Sequence, residues 1–96
     1  MNFDYEVKFG RGKLRVAGTL SELDTIELQR VLILSLEKCQ VLELDIDDVT
    51  VISLPCIRII AQMYSLAKRR KKALLFATRY PREAMKLWIN NMAKAV

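Results

Sequence analysis

The sequence predicts a single α/β domain, residues 1–96, built on a mixed sheet in the element order ββαβαβα. Three observations carry that expectation. Two short segments of period-two alternation flank a pair of glycines near the start. Strand-like runs then alternate with stretches of helical spacing, which implies right-handed crossovers and a mainly parallel sheet with the first hairpin at one end. Finally, 96 residues of 52% hydrophobic content suffice for one modest core and call for no second domain.

Each element has a local reason. Phe3 to Phe9 alternates, Gly10-Arg11-Gly12 reads as a hairpin turn because glycine supplies positive φ, and Lys13 to Ala17 alternates again. Ser21 stands where a helix N-cap belongs, with Glu22 and Asp24 in the first turn, so a helix is expected from about residue 22 to 37. Gln40 to Ile46 reads as a strand that Asp47-Asp48 breaks with turn-favouring residues. Pro55 is tolerated in the first turn of a helix, and Cys56, Ile59, Ile60, Met63 and Ala67 share one face, predicting a helix from Pro55 to Arg69. Ala73 to Ala77 is continuously apolar, as a buried strand is. Pro81 can open a last helix with a stripe of Ala84, Met85, Trp88, Ile89 and Met92.

Composition prunes the function classes. The chain has no histidine, which excludes Ser-His-Asp and Cys-His catalysis, and its three glycines make no phosphate-binding loop. Cys39 and Cys56 form no recognisable zinc site, no cofactor is implied, and Asp45, Asp47 and Asp48 read as a solvated turn rather than a cation site. A non-enzyme is therefore expected, with unusual chemistry at Cys56 or the aspartates as the surviving route to catalysis. At a helix N-terminus Cys56 could be a thiolate, but its place on the apolar stripe favours a buried small hydrophobe. Residues 1–6 carry neither a basic region nor an apolar core of a signal peptide, and no apolar run approaches the ~20 residues of a membrane span, so a soluble, cytoplasmic protein is expected.

The stretches Gly18-Thr19-Leu20-Ser21 and Val41 to Ile52, followed by Ile57 to Ile60 and Leu66 to Arg69, carry a family likeness. The chain resembles a STAS domain, the fold of bacterial anti-sigma factor antagonists, over nearly its whole length. Ser21 replaces an aspartate of that pattern and Asp45 matches another. The resemblance implies a mixed sheet with the helices packed mainly on one face, and a protein-binding groove at Ser53, Leu54, Pro55 and Cys56, with Arg58, Gln62 and Ile57 on the helix that follows. In the antagonists the third residue of the segment is phosphorylated by a serine kinase that doubles as an anti-sigma factor. Here that position is Pro55, which has no hydroxyl. The chain departs from the pattern most at this point, leaving Ser53 and Thr50 as candidate phosphorylation sites. The resemblance implies a module regulating a kinase or anti-sigma partner without the usual switch. Its alternative is a cytoplasmic STAS subunit bound to the ATPase of an ABC-type lipid-transport assembly.

Two further features call for an explanation. Val31 to Leu36 is apolar nearly all round, which packing against the last helix, a homodimer or another partner would satisfy. The net charge of +5 is concentrated in Lys68, Arg69, Arg70, Lys71 and Lys72, joined by Arg79, Arg82 and Lys86. Such a face suits nucleic acid, anionic lipid or an acidic protein. No aromatic-interleaved signature accompanies it, so nucleic acid is the minor reading and a solvated helix end the expectation.

Overall fold

The computed structural model describes residues 1–79. The helix expected from Pro81 lies outside the described residues, as do Arg82 and Lys86. Strands β1 (Asn2–Lys8), β2 (Arg11–Leu20), β3 (Val41–Ile52) and β4 (Ala73–Phe76) form one sheet in the order β1-β2-β3-β4. β1 is antiparallel to β2, and the other two pairings are parallel. Helix α1 (Thr25–Glu37) connects β2 to β3, and α2 (Leu54–Arg69) connects β3 to β4. This is the mixed α/β architecture that the alternation predicts.

Alternation in β2 and β3 divides the sheet into two faces. Leu14, Val16, Leu42 and Leu44 are buried under the helices, while Arg11, Lys13 and Arg15 stand on the opposite side. α1 answers with Leu28, Leu32 and Leu36 at four-residue spacing, and α2 with Cys56, Ile60, Met63 and Ala67. These side chains make one continuous core. The apolar excess of Val31 to Leu36 is mostly absorbed there: Leu32, Ser35 and Leu36 are buried, and Val31 and Ile33 pack against the core. α1 contacts both the sheet and α2, so it needs a wider apolar arc than a helix covering a sheet alone. Leu34 is the large apolar residue of the run left exposed, so the run offers little continuous surface for a homodimer.

Three boundaries differ from expectation. The hairpin turns on Phe9 and Gly10, both at positive φ (52° and 77°), because Lys8 already pairs with Arg11. Gly12 lies inside β2, where a Cβ would meet Cys39 Sγ and Tyr5 Oη at 3.0 Å, so it is glycine for close approach rather than for a turn. The first helix opens with a 3-10 turn, Glu22–Asp24, held by a capping box in which Ser21 Oγ accepts from Leu23 N–H and the Asp24 carboxylate accepts the Ser21 N–H at 2.8 Å. The third difference is at Asp47-Asp48, which do not end β3. The strand takes in extra residues there, with Arg15 opposite Asp45 and Ala17 opposite Asp48, and the Asp45 side chain accepts the Asp47 N–H at 3.0 Å. The turn-favouring aspartates produce a bulge instead of a break.

α2 ends in a Schellman motif. Lys72 N–H donates to Ala67 O at 2.8 Å and Lys71 N–H to Lys68 O at 3.1 Å, with Lys71 in the left-handed region at φ +58°. The Lys72 ammonium donates to Leu36 O, closing the C-terminal end of α1 as well. Leu32 sits at the centre of this packing with no solvent exposure. Leu32→Ala is expected to cost about 2–5 kcal/mol. Chemical denaturation with an unchanged slope and a lowered midpoint is the check.

Candidate functional site

The segment following β3 forms a rigid corner. Ser53 is extended (φ −75°, ψ 154°) and caps α2, its hydroxyl accepting the Cys56 N–H at 3.4 Å. Pro55 occupies the first turn, where its missing N–H has no intrahelical partner to lose. Two bonds tie the corner to the end of β2: Ser53 N–H donates to Leu20 O at 2.8 Å, and the Cys56 thiol donates to Ser21 O at 3.3 Å. The entry to α1 and the entry to α2 are thereby held side by side.

Cys56 has no exposed surface, and burial is the main influence pushing its thiol pKa up. Burial, with the Asp24 charge adding to it, outweighs the opposing Ser53 hydrogen bond, which favours a protonated thiol with a structural bond over a thiolate nucleophile. Ile57, expected on the exposed side of α2, is 3% exposed, because the buried arc of the helix takes in Cys56, Ile57 and Ile60 together. Cys56 and Ile57 therefore support the site from within. Leu54, Arg58 and Gln62 are exposed, and Ser53 and Pro55 are half-buried. Thr50, also exposed, has its hydroxyl 3.4 Å from that of Thr19.

The same end carries a feature that sequence reading missed. Leu23, Ile26 and Val51 are 93%, 72% and 60% exposed, and with Leu54 they gather large apolar side chains around the entries to both helices. A signal for Ile26 was present in the spacing. It lies two residues before Leu28, about 200° round the helix, and so falls opposite the core stripe.

The aspartates are engaged by cations of the chain itself. Asp45 lies 3.7 Å from Arg15, and Asp47 and Asp48 each lie 3.3 Å from the Arg79 guanidinium. Asp47 further accepts from the Thr78 hydroxyl at 2.6 Å and the Arg79 N–H at 2.7 Å. Asp47 and Asp48 thus clamp the exit of β4 from the bulge, while Asp45 pairs across to β2, so the three do not form a solvated turn. Among the described residues no three acidic or cysteine side chains converge as metal ligands would. At the opposite end of α2, Lys68, Arg69, Arg70 and Lys71 are exposed, while Lys72 is half-buried in its capping role.

The Thr78 hydroxyl bond, then the Arg79 N–H, holds the Asp47 carboxyl below its ordinary value of 3.8. A carboxyl with a lowered folded-state pKa adds stability above its unfolded value, and that stability is lost as pH falls from about 4 through the folded pKa. Asp47→Asn should therefore destabilise the protein at neutral pH and flatten the acid limb of its stability profile. Thermal melts from pH 7 to pH 2 test this, and parallel profiles for the two proteins would contradict it.

No family model and no curated protein matches the sequence. Among solved structures, the anti-sigma factor antagonist SpoIIAA in its unphosphorylated form is similar with a TM-score of 0.69 at 8% identity, over 88% of this chain and 82% of that one. A structure of Mglu gives a TM-score of 0.69 at 15% identity, over 78% of this chain but only 19% of that one. At such identities the likeness is one of fold. The chain has the STAS-like fold of an anti-sigma factor antagonist.

Proposed function

We propose that this chain is a non-catalytic protein-interaction module whose partner face is the end bearing the start of α2, working without a phosphoryl switch. The observation that carries the reading is the apolar group Leu23, Ile26, Val51 and Leu54, exposed around one rigid corner. Isolated surface leucines are ordinary, whereas several large ones at one place suggest a surface that a partner covers. Arg58 and Gln62 would supply the polar rim of that interface.

The likeness to an anti-sigma factor antagonist favours a partner of the anti-sigma or serine-kinase kind. Pro55 fixes the corner in one conformation and offers no hydroxyl for phosphate. The Ser53 hydroxyl is already used as the helix cap. The module would then bind constitutively, with its control residing in the partner. Constitutive binding also suits a subunit of a transport ATPase, and capture of the partner separates the two.

The tagged chain, applied to lysate of its own organism, is expected to retain a serine kinase or anti-sigma protein identified by mass spectrometry. Retention of an ATPase with membrane subunits would replace that reading with the transport one. Against the isolated partner, Leu54→Asp and Arg58→Glu should each weaken binding about tenfold or more. Unchanged affinity for both would place the interface elsewhere. After incubation with a cognate kinase, peptide mapping should find residues 49–60 unmodified; a stoichiometric phosphate on Ser53 or Thr50 would restore the switch.

A further inference from the structure

The opposite end of the sheet combines backbone strain, an exposed aromatic and positive charge without acidic partners; Lys8 Nζ lies 5.8 Å from the centroid of the Phe9 ring, so ring and charge stand together. Backbone bonds join its parts: Gln40 N–H donates to Gly10 O at 2.8 Å, and Ala73 N–H donates to Gln40 O at 3.0 Å. The β1–β2 hairpin tip, the end of α1 and the end of α2 therefore lie together.

Among the described residues, Phe9 and Lys71 are the non-glycine residues at positive φ, and both belong to this end. Each occupies a position where glycine or asparagine is at ease and a larger side chain is strained. Phe9 is also 94% exposed, so it contributes nothing to the core. Folding alone would favour other residues at both positions. Strain kept at two neighbouring places points to use.

The charge agrees. Lys8, Lys38, Arg70 and Lys71 are exposed, and no ion pair among the described residues neutralises them. Arg11 is discounted, because Glu43 accepts from it at 2.7 Å. Segments 8–11, 38–41 and 68–73 contain no acid; Glu37 ends α1, and Glu6 and Glu43, which line the same recess as Lys8 and Phe9, stand on the sheet beside Lys13 and Arg11.

We infer that this end docks on an anionic lipid bilayer, with Phe9 entering the interface and Lys8, Lys38, Arg70 and Lys71 lying against the headgroup phosphates. A protruding ring on a tight hairpin suits insertion into a soft surface, where an aromatic side chain is favoured and basic neighbours add electrostatic attraction. Single-stranded nucleic acid would instead call for several aromatic platforms along a basic groove. The inference concerns the end of the molecule remote from Ser53 and does not depend on the function proposed for that corner.

Sedimentation of the full chain with vesicles tests it, comparing phosphatidylcholine alone with phosphatidylcholine containing phosphatidylglycerol. Preferential binding to the anionic vesicles, weakened by added salt, is expected. Phe9→Asn should reduce partitioning about tenfold, Lys71→Gly about fivefold, and Phe9→Trp should retain it. Phe9→Asn and Lys71→Gly both relieve left-handed strain, so their melting temperatures should not fall and a folding defect cannot explain lost binding. Equal binding to neutral and anionic vesicles, or full binding by both weakened variants, would overturn the assignment. So would retention on a single-stranded oligonucleotide without any binding to vesicles.

Discussion

The strict two-sidedness of β2 is the constraint on which the rest of the structure depends. Flanked by β1 and β3, it sends Leu14 and Val16 under the helices and Arg11, Lys13 and Arg15 to the other face. A one-residue slip would exchange those sets and put the cations into the core. The neighbouring strands reinforce the register. Arg15 lies between Asp4 of β1 and Asp45 of β3, and Lys13 lies between Glu6 and Glu43, so a positive column runs between two negative ones. Cross-strand charge pairs of this sort contribute only about 0.2–1 kcal/mol each, but they all favour the same alignment. They also balance the charge of that face locally, which leaves the net positive charge to be expressed elsewhere.

At the corner following β3, local preference and tertiary bonding act on the same residues. Proline suits the opening turn of α2, serine caps it, and a buried cysteine bonds it to the preceding crossover. All three residues serve geometry. The surface they support is apolar, and its recognition would rest on shape and desolvation rather than on a charge that can be added or removed.

Period and punctuation made most of the fold legible. The leucines of α1 and the stripe of α2 identified the buried faces, and the order of strands and helices follows from alternation. Two of the misreadings involve tertiary contacts acting on residues with strong local preferences. Gly12 looked like part of a turn, but its role is set by Cys39, far along the chain. Asp47 and Asp48 looked like a break, yet pairing with β2 and contact with Arg79 keep them in the strand. At the proposed site, what the sequence made legible was the helix start at Ser53 and Pro55; Leu54, Arg58 and Gln62 are exposed there. Burial of Ile57 and exposure of Leu23, Ile26 and Val51 depend on where the helix entries meet, which no local pattern specifies.

The length of α2 has a consequence for assembly. The helix runs from the Ser53 corner to the basic end, and its 16 residues span about 24 Å, so the two ends are joined by a stiff rod rather than a flexible linker. Occupants of the two ends would not compete for space. A molecule resting by one end on a two-dimensional support would hold the other at a fixed height and raise its effective concentration toward anything confined to the same layer. Rigidity would then act as a spacer, selecting partners by their distance from the support as well as by the chemistry of their surfaces.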